Sequence, residues 1–229
     1  MARSHGSSDW LLKMIRNDEI DSFLETIPGV KVTPKMRAPS KVDQTERELK
    51  TYLTEYGFDS EKSASIAEWW PNGGPKWDFI CQAKIDGNDG IILVEAKAHH
   101  GEVGGKCKAT NLDNINRIKS ALQDTHAALV PGHAFSEETW LIACYQIANR
   151  IAFANKAHQV FGMPILLVFL GFVGDISFHD SWKDVKQWEN EIWSCLDKLK
   201  LIDLTKVEMS EFTRRPGIRI LSKQCAEII

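Results

Sequence analysis

PKWDFICQAKIDGNDGIILVEAKAHHGE, residues 75 to 102, decides how this chain is read. Two apolar runs, WDFICQAKI (77–85) and GIILVEAKA (90–98), flank the glycine-rich turn DGNDG, the pattern of a β-hairpin. Asp78 opens the first run, and Glu95 and Lys97 interrupt the second. Side chains alternate along a strand, so Glu95 and Lys97 project from one face. A hairpin folding about residues 86–90 places Asp78 opposite Lys97 or Ala98, with Glu95 one pair further in. Ionised groups are costly to bury without partners. Three of them in one apolar hairpin therefore form either a structural ion pair or a reactive site.

Two carboxylates converging at the open end of the hairpin suit a hard divalent cation, Mg²⁺ or Mn²⁺ in its place, which takes oxygen ligands and keeps several waters. The Ala96 carbonyl is a further candidate ligand beside Asp78 and Glu95. The Lys97 ammonium is placed to orient an attacking water and to offset charge on a phosphate. These are the minimal parts of metal-assisted phosphodiester hydrolysis.

Outward from the hairpin, apolar spacing predicts helices over 8–27, 41–57, 61–70, 112–129, 136–160 and 182–200. Ser136 to Thr139, with acids between, reads as the start of the helix that runs from 136. PILLVFLGFVG, 164–174, is apolar on both faces, as a central strand must be, and GIRILS, 217–222, is a weaker strand. KVTPKMRAPSK reads as a linker. It divides an N-terminal helical arm, 1–35, from a main domain, 36–229. The arm is apolar on one face and able to exchange with a second copy, giving a homodimer. Hairpin, helices and buried strand together predict an α/β fold, a mixed central sheet with helices on its faces.

Asp78, sixteen residues, then Glu95-Ala96-Lys97 resembles the PD-(D/E)xK signature of restriction-endonuclease-like nucleases, with Pro75-Lys76-Trp77-Asp78 departing from a strict PD. The resemblance implies a three-layer core in which a helix precedes the hairpin and a helix, a strand and a further helix follow, and residues 41–174 match that order. It implies Asp78, Glu95 and Lys97 as catalytic residues and an acid on the first core helix joining the metal. Glu46 is the candidate for that acid, with Glu48 the fallback. It also implies a polar residue on a later helix. Gln146 and Arg150, one turn apart on 136–160, share a face and are candidates to contact phosphate. Lys106 and Lys108 are candidates to grip a nucleic-acid backbone, or simply to solvate a loop.

The remaining features narrow the classes. The chain has 229 residues, 43% apolar and 26% charged, with eight tryptophans to build a core. Its net charge of −3 argues against a general nucleic-acid coat. Residues 96–120 are nonetheless locally basic, with Lys97, Lys106, Lys108, Arg117 and Lys119 against Glu102 and Asp113. Five cysteines without a CxxC pair suggest neither a disulfide framework nor a zinc knuckle, and with no apolar leader the reading is cytoplasmic, without membrane contact. His99 and His100 read as loop residues near the substrate, and Cys107 and Cys144 as packing residues. No GxSxG, Walker A or GxGxxG pattern occurs. The expected partner is nucleic acid, DNA above all. The rival readings are a catalytically silent binding module of a defence or toxin system, and a carbohydrate- or nucleotide-active enzyme using the carboxylates as acid and base.

Overall fold

A computed structural model describes residues 7–36, 47–71, 74–202, 217–225 and 228. Two helices open it, α1 (Ser7–Arg16) and α2 (Glu19–Glu25). The single helix expected over 8–27 is broken at Asp18, which adopts φ 60°, a left-handed conformation that a short acidic side chain tolerates. The first half of the expected linker is part of the sheet. Val32–Met36 forms β1 and pairs antiparallel with β4 (Phe79–Ile85), Val32 opposite Ile85 and Pro34 opposite Ala83. Pro34 has no N–H to give, and β1 lies at the sheet edge, where none is needed.

The segment expected as one helix over 41–57 is described from residue 47 and is not helical at its first two described positions. Arg47–Glu48 is a short strand, β2, and α3 covers Leu49–Glu55, burying Leu49, Tyr52 and Leu53. Next comes α4 (Ser60–Trp69), capped by Asp59, whose carboxylate accepts the N–H groups of Glu61 and Lys62. Lys76–Trp77 forms β3, paired with β2 in a two-stranded ribbon apart from the main sheet.

The hairpin of β4 and β5 (Asn88–Lys97) turns on two residues only. Asp86 and Gly87 both take positive φ, 49° and 86°, the geometry of a tight hairpin turn whose twist matches the strands. Ile85 therefore pairs with Asn88 and Phe79 with Val94. This corrects the register read from the sequence. Carried one step past the last pair, this register sets Asp78 beside Glu95, not opposite Lys97 or Ala98, because the strand starts before the Gly90 taken as its beginning.

Beyond the hairpin run α5 (Leu112–Leu129), a π-helical turn (Glu138–Ala143), α6 (Tyr145–Phe161), β6 (Ile165–Val173), α7 (Val185–Lys198) and β7 (Ile218–Gln224). The sheet order is β1-β4-β5-β6-β7, antiparallel up to β5 and parallel from β5 through β7. All nine residues of β6 are buried, as its two-sided apolar sequence requires. The fold is thus mixed α/β, a five-stranded mixed sheet flanked by helices.

Alternation along the strands builds two cores. Ile91, Leu93, Leu167 and Phe169 face the layer of α3 to α7, where Tyr52, Ile118, Phe153 and Trp188 are buried. Ile92, Val94, Val168 and Leu170 face the other way, against Leu11 and Met14 of α1 and Ile20 and Leu24 of α2. The described part of the segment read as an arm, from Ser7 on, thus covers the second face of this sheet. Trp10 fastens it, its indole N–H donating to the buried Asp175 carboxylate at 2.6 Å. No helix among the described residues is long and apolar enough to cross a membrane.

Gly171 shows how tightly the first core is closed. The Trp188 ring lies over it so closely that a Cβ would sit 2.4 Å from the ring, and the Trp188 N–H is held by the Leu221 carbonyl at 2.8 Å. Gly171→Ala must push that indole off the sheet, and a loss of about 1–3 kcal/mol is expected in urea unfolding followed by tryptophan fluorescence.

Candidate functional site

Asp78 sits where the chain leaves the sheet. The β4 ladder ends at Phe79, and the backbone bends at Asp78 so that β3 can pair with β2. The Asp78 carboxylate takes over as the ladder's last acceptor, receiving the Ala96 N–H at 2.7 Å. Glu95 and Lys97 follow the parity of Ile91 and Leu93 and rise from the same face of β5. Both are buried, at 3% and 8% exposure. The Lys97 ammonium donates to one Glu95 oxygen at 2.5 Å.

The other Glu95 oxygen receives the Arg150 Nε–H, also at 2.5 Å. Arg150 comes from α6, whose start the sequence reading put near 136. The backbone instead passes through the π-helical turn before α6 begins at Tyr145. The Ser136 hydroxyl still accepts the Thr139 N–H, so the starting cap expected there is present.

These groups form the floor of a cleft of about 760 Å³. Asp78, Glu95 and Lys97 lie together in it, and Lys106, Lys108, Gln146 and Arg150 line it as well. Lys106 and Lys108 are exposed on its wall, their loop pinned between them by the Cys107 N–H, which donates to the Leu141 carbonyl at 2.8 Å. The Ala96 side chain packs in the opposite core while its N–H serves Asp78. Glu46 lies outside the described residues. Glu48, the fallback, ends β2 and is not among the cleft-lining residues.

Glu102 and Ser7 are among the cleft members missed in the sequence. Glu102 turns back toward the end of β5, its carboxylate accepting the Ala98 N–H at 2.5 Å and the Ser7 hydroxyl at 3.0 Å. Both Glu102 and Ser7 line the cleft. The one sequence signal for Glu102 was an acid five residues beyond Lys97, followed closely by Gly104-Gly105. His99 and His100 are turned elsewhere. His99 hydrogen-bonds Asp180 at 3.2 Å and stacks on Phe178, and His100 meets Glu191 at 2.5 Å, which also accepts the Trp182 N–H. They bind the loop after β5 to α7 and the segment before it, and do not line the cleft. Cys144 is buried, as a packing residue should be, whereas Cys107 is half-buried.

The two acids differ electrostatically. Burial is the largest influence on Glu95 and by itself raises a carboxyl, but the charges and hydrogen bonds of Arg150 and Lys97 together outweigh it and hold Glu95 below its ordinary value. Asp78 lacks such direct partners. Burial first, and the neighbouring Glu95 charge second, push it up to about 7.

Among the described residues no three His, Cys, Asp or Glu side chains are grouped to hold a metal ion. The available donor set is the pair Asp78 and Glu95. That fits Mg²⁺, which is commonly held by one or two carboxylates with waters and substrate phosphate completing its shell. A hard dication beside Asp78 also supplies the positive charge its buried carboxyl lacks. No family model, no curated protein and no solved structure matches the chain.

The raised Asp78 value has a measurable consequence in metal-free buffer. The folded chain keeps that proton up to about pH 7, while an unfolded chain releases it near 3.8. The folded state binds the extra proton between those values, so this group's contribution to stability falls as pH rises through the window. Asp78→Asn should remove the decline and leave the variant more stable at pH 8 by on the order of 2 kcal/mol, read by urea unfolding from pH 5 to 8 in EDTA.

Proposed function

We propose that the chain is a Mg²⁺-dependent nuclease on a restriction-endonuclease-like fold, hydrolysing phosphodiester bonds of nucleic acid, with DNA the preferred substrate. The observation that carries this reading is the meeting of Asp78, Glu95 and Lys97 on the floor of one cleft with lysines on its wall. The order of helix, hairpin, helix and buried strand supports it too, since that is the order the PD-(D/E)xK resemblance implies.

In this reading Asp78 and Glu95 hold the ion. When bound, Mg²⁺ supplies Lewis-acid neutralisation of the phosphate and lowers the pKa of a coordinated water. Lys97 donates hydrogen bonds, orienting the attacking water and stabilising charge that grows on the phosphate oxygens. Lys106 and Lys108 hold flanking phosphates by charge, so that the scissile group stays over the floor. Burial of Glu95 and Lys97 excludes bulk water and keeps these interactions strong.

A second reading has an observation of its own. Both Glu95 oxygens are engaged by cations, which also suits a silent module that binds without turnover. Cleavage of plasmid, single-stranded DNA and RNA with Mg²⁺ and with EDTA separates the two. Under the nuclease reading, Glu95→Gln and Lys97→Ala should each lose about a hundredfold or more in rate. Wild-type rates in both variants, with circular dichroism showing them folded, would remove the catalytic reading.

A further inference from the structure

Arg150 was expected to contact substrate phosphate, yet its guanidinium is already committed. Nε donates to Glu95 Oε2 at 2.5 Å, Nη1 to Asn149 Oδ1 at 3.0 Å and Nη2 to the Lys76 carbonyl at 3.0 Å. Its centre lies 5.0 Å over the Trp77 ring. Lys97 holds the other Glu95 oxygen, so Glu95 is flanked by two cations. A dication brought to that carboxylate meets like charge at both of its oxygens.

The two cations are not equivalent. Lys97 stands two residues from Glu95 on the same strand face and has only 8% exposure, leaving it little room to withdraw. Arg150 reaches Glu95 from another layer, and its remaining contacts, to Lys76, Asn149 and the Trp77 face, do not depend on Glu95. Those contacts can hold the guanidinium at the cleft after the Glu95 bond is broken. With the Glu95 bond gone the Nε–H needs another acceptor, and in a cleft also lined by Lys76 and Gln146 an anion is the fitting partner.

We propose that Arg150 is the resident counter-ion of Glu95, which a divalent cation displaces, so that loading the metal turns the guanidinium from a carboxylate partner into a phosphate contact. The proposal rests on reading Asp78 and Glu95 as the metal site. It makes Arg150 a positioning residue without metal and a competitor during metal binding. A purely structural pair behaves oppositely, because removing Arg150 would then let Glu95 wander and weaken the ion's hold.

Calorimetric titration of Mn²⁺ into the full chain at pH 8 tests this, using wild type, Arg150→Gln, Arg150→Lys and Glu95→Gln. Mn²⁺ should bind Arg150→Gln at least fivefold more tightly than wild type, while Arg150→Lys, which keeps the charge, stays within about twofold of it. Equal or weaker binding by Arg150→Gln overturns the proposal and leaves the metal site standing. No Mn²⁺ binding that Glu95→Gln abolishes overturns both. Should Arg150→Gln fail to fold, the wild-type Arg150 Nε–H signal in a nitrogen–proton correlation spectrum decides, assigned through Arg150→Lys. It should shift and saturate as Mg²⁺ is added, and an unmoved signal overturns the proposal.

Discussion

A single ionised carboxylate buried in the middle of an apolar sheet constrains much of this molecule. Glu95 at 3% exposure is tolerable only because each of its oxygens meets a cation. Breaking such a pair leaves an uncompensated buried charge, which costs about 3–5 kcal/mol. The partners must therefore arrive with the fold. Lys97 comes with the strand itself, but Arg150 has to be delivered by α6, at the correct height and on the correct face. Its Nη2 also grips the Lys76 carbonyl, so the same side chain braces the backbone next to the Asp78 bend. The ion pair and the geometry of the second acid are thus one arrangement.

The four charged groups of the cleft floor balance when Asp78 is ionised, with Asp78 and Glu95 set against Lys97 and Arg150, while Lys76, Lys106 and Lys108 outnumber Glu102 in the rest of the lining. Asp78, pushed up by burial and by Glu95, is the member with the least compensation. A site of this kind accepts positive charge near Asp78 and negative charge near the cleft wall, where Lys106 and Lys108 are exposed. That polarity gives the proposed phosphodiester chemistry its physical basis, since such a reaction needs a cation at the acids and an anion beside the lysines.

The second face of the sheet bears on the site as well. Ala96 and Ala98 belong to the core beneath α1 and α2, while their neighbours Glu95 and Lys97 point into the cleft. Covering that face with Leu11, Met14 and Ile20 calls for the apolar Ile92, Val94 and Ala96, while on the other face Ile91 and Leu93 fill the core and Glu95 and Lys97 reach the cleft. Ser7, at the start of α1, reaches the cleft through its hydrogen bond to Glu102. The N-terminal segment is therefore a structural layer and a part of the cleft rim together.

Sequence alone determined the elements with strong local signals. The 112–129 helix, the two-sided apolar strand β6 and the hairpin were legible because hydrophobic period and turn chemistry are properties of neighbouring residues. It also marked Asp78, Glu95 and Lys97, because charge inside an apolar run stands out without any structure. Tertiary structure alone decided the hairpin register, which a two-residue turn shifted. It also placed β1, with its Pro34, on the sheet edge, and returned Glu102 to the strand end. Above all it assigned Arg150 to Glu95, a contact between residues 55 positions apart. Local patterns carry propensity and face, whereas the neutralisation of a buried charge depends on which distant side chain the packed layers bring within hydrogen-bonding distance.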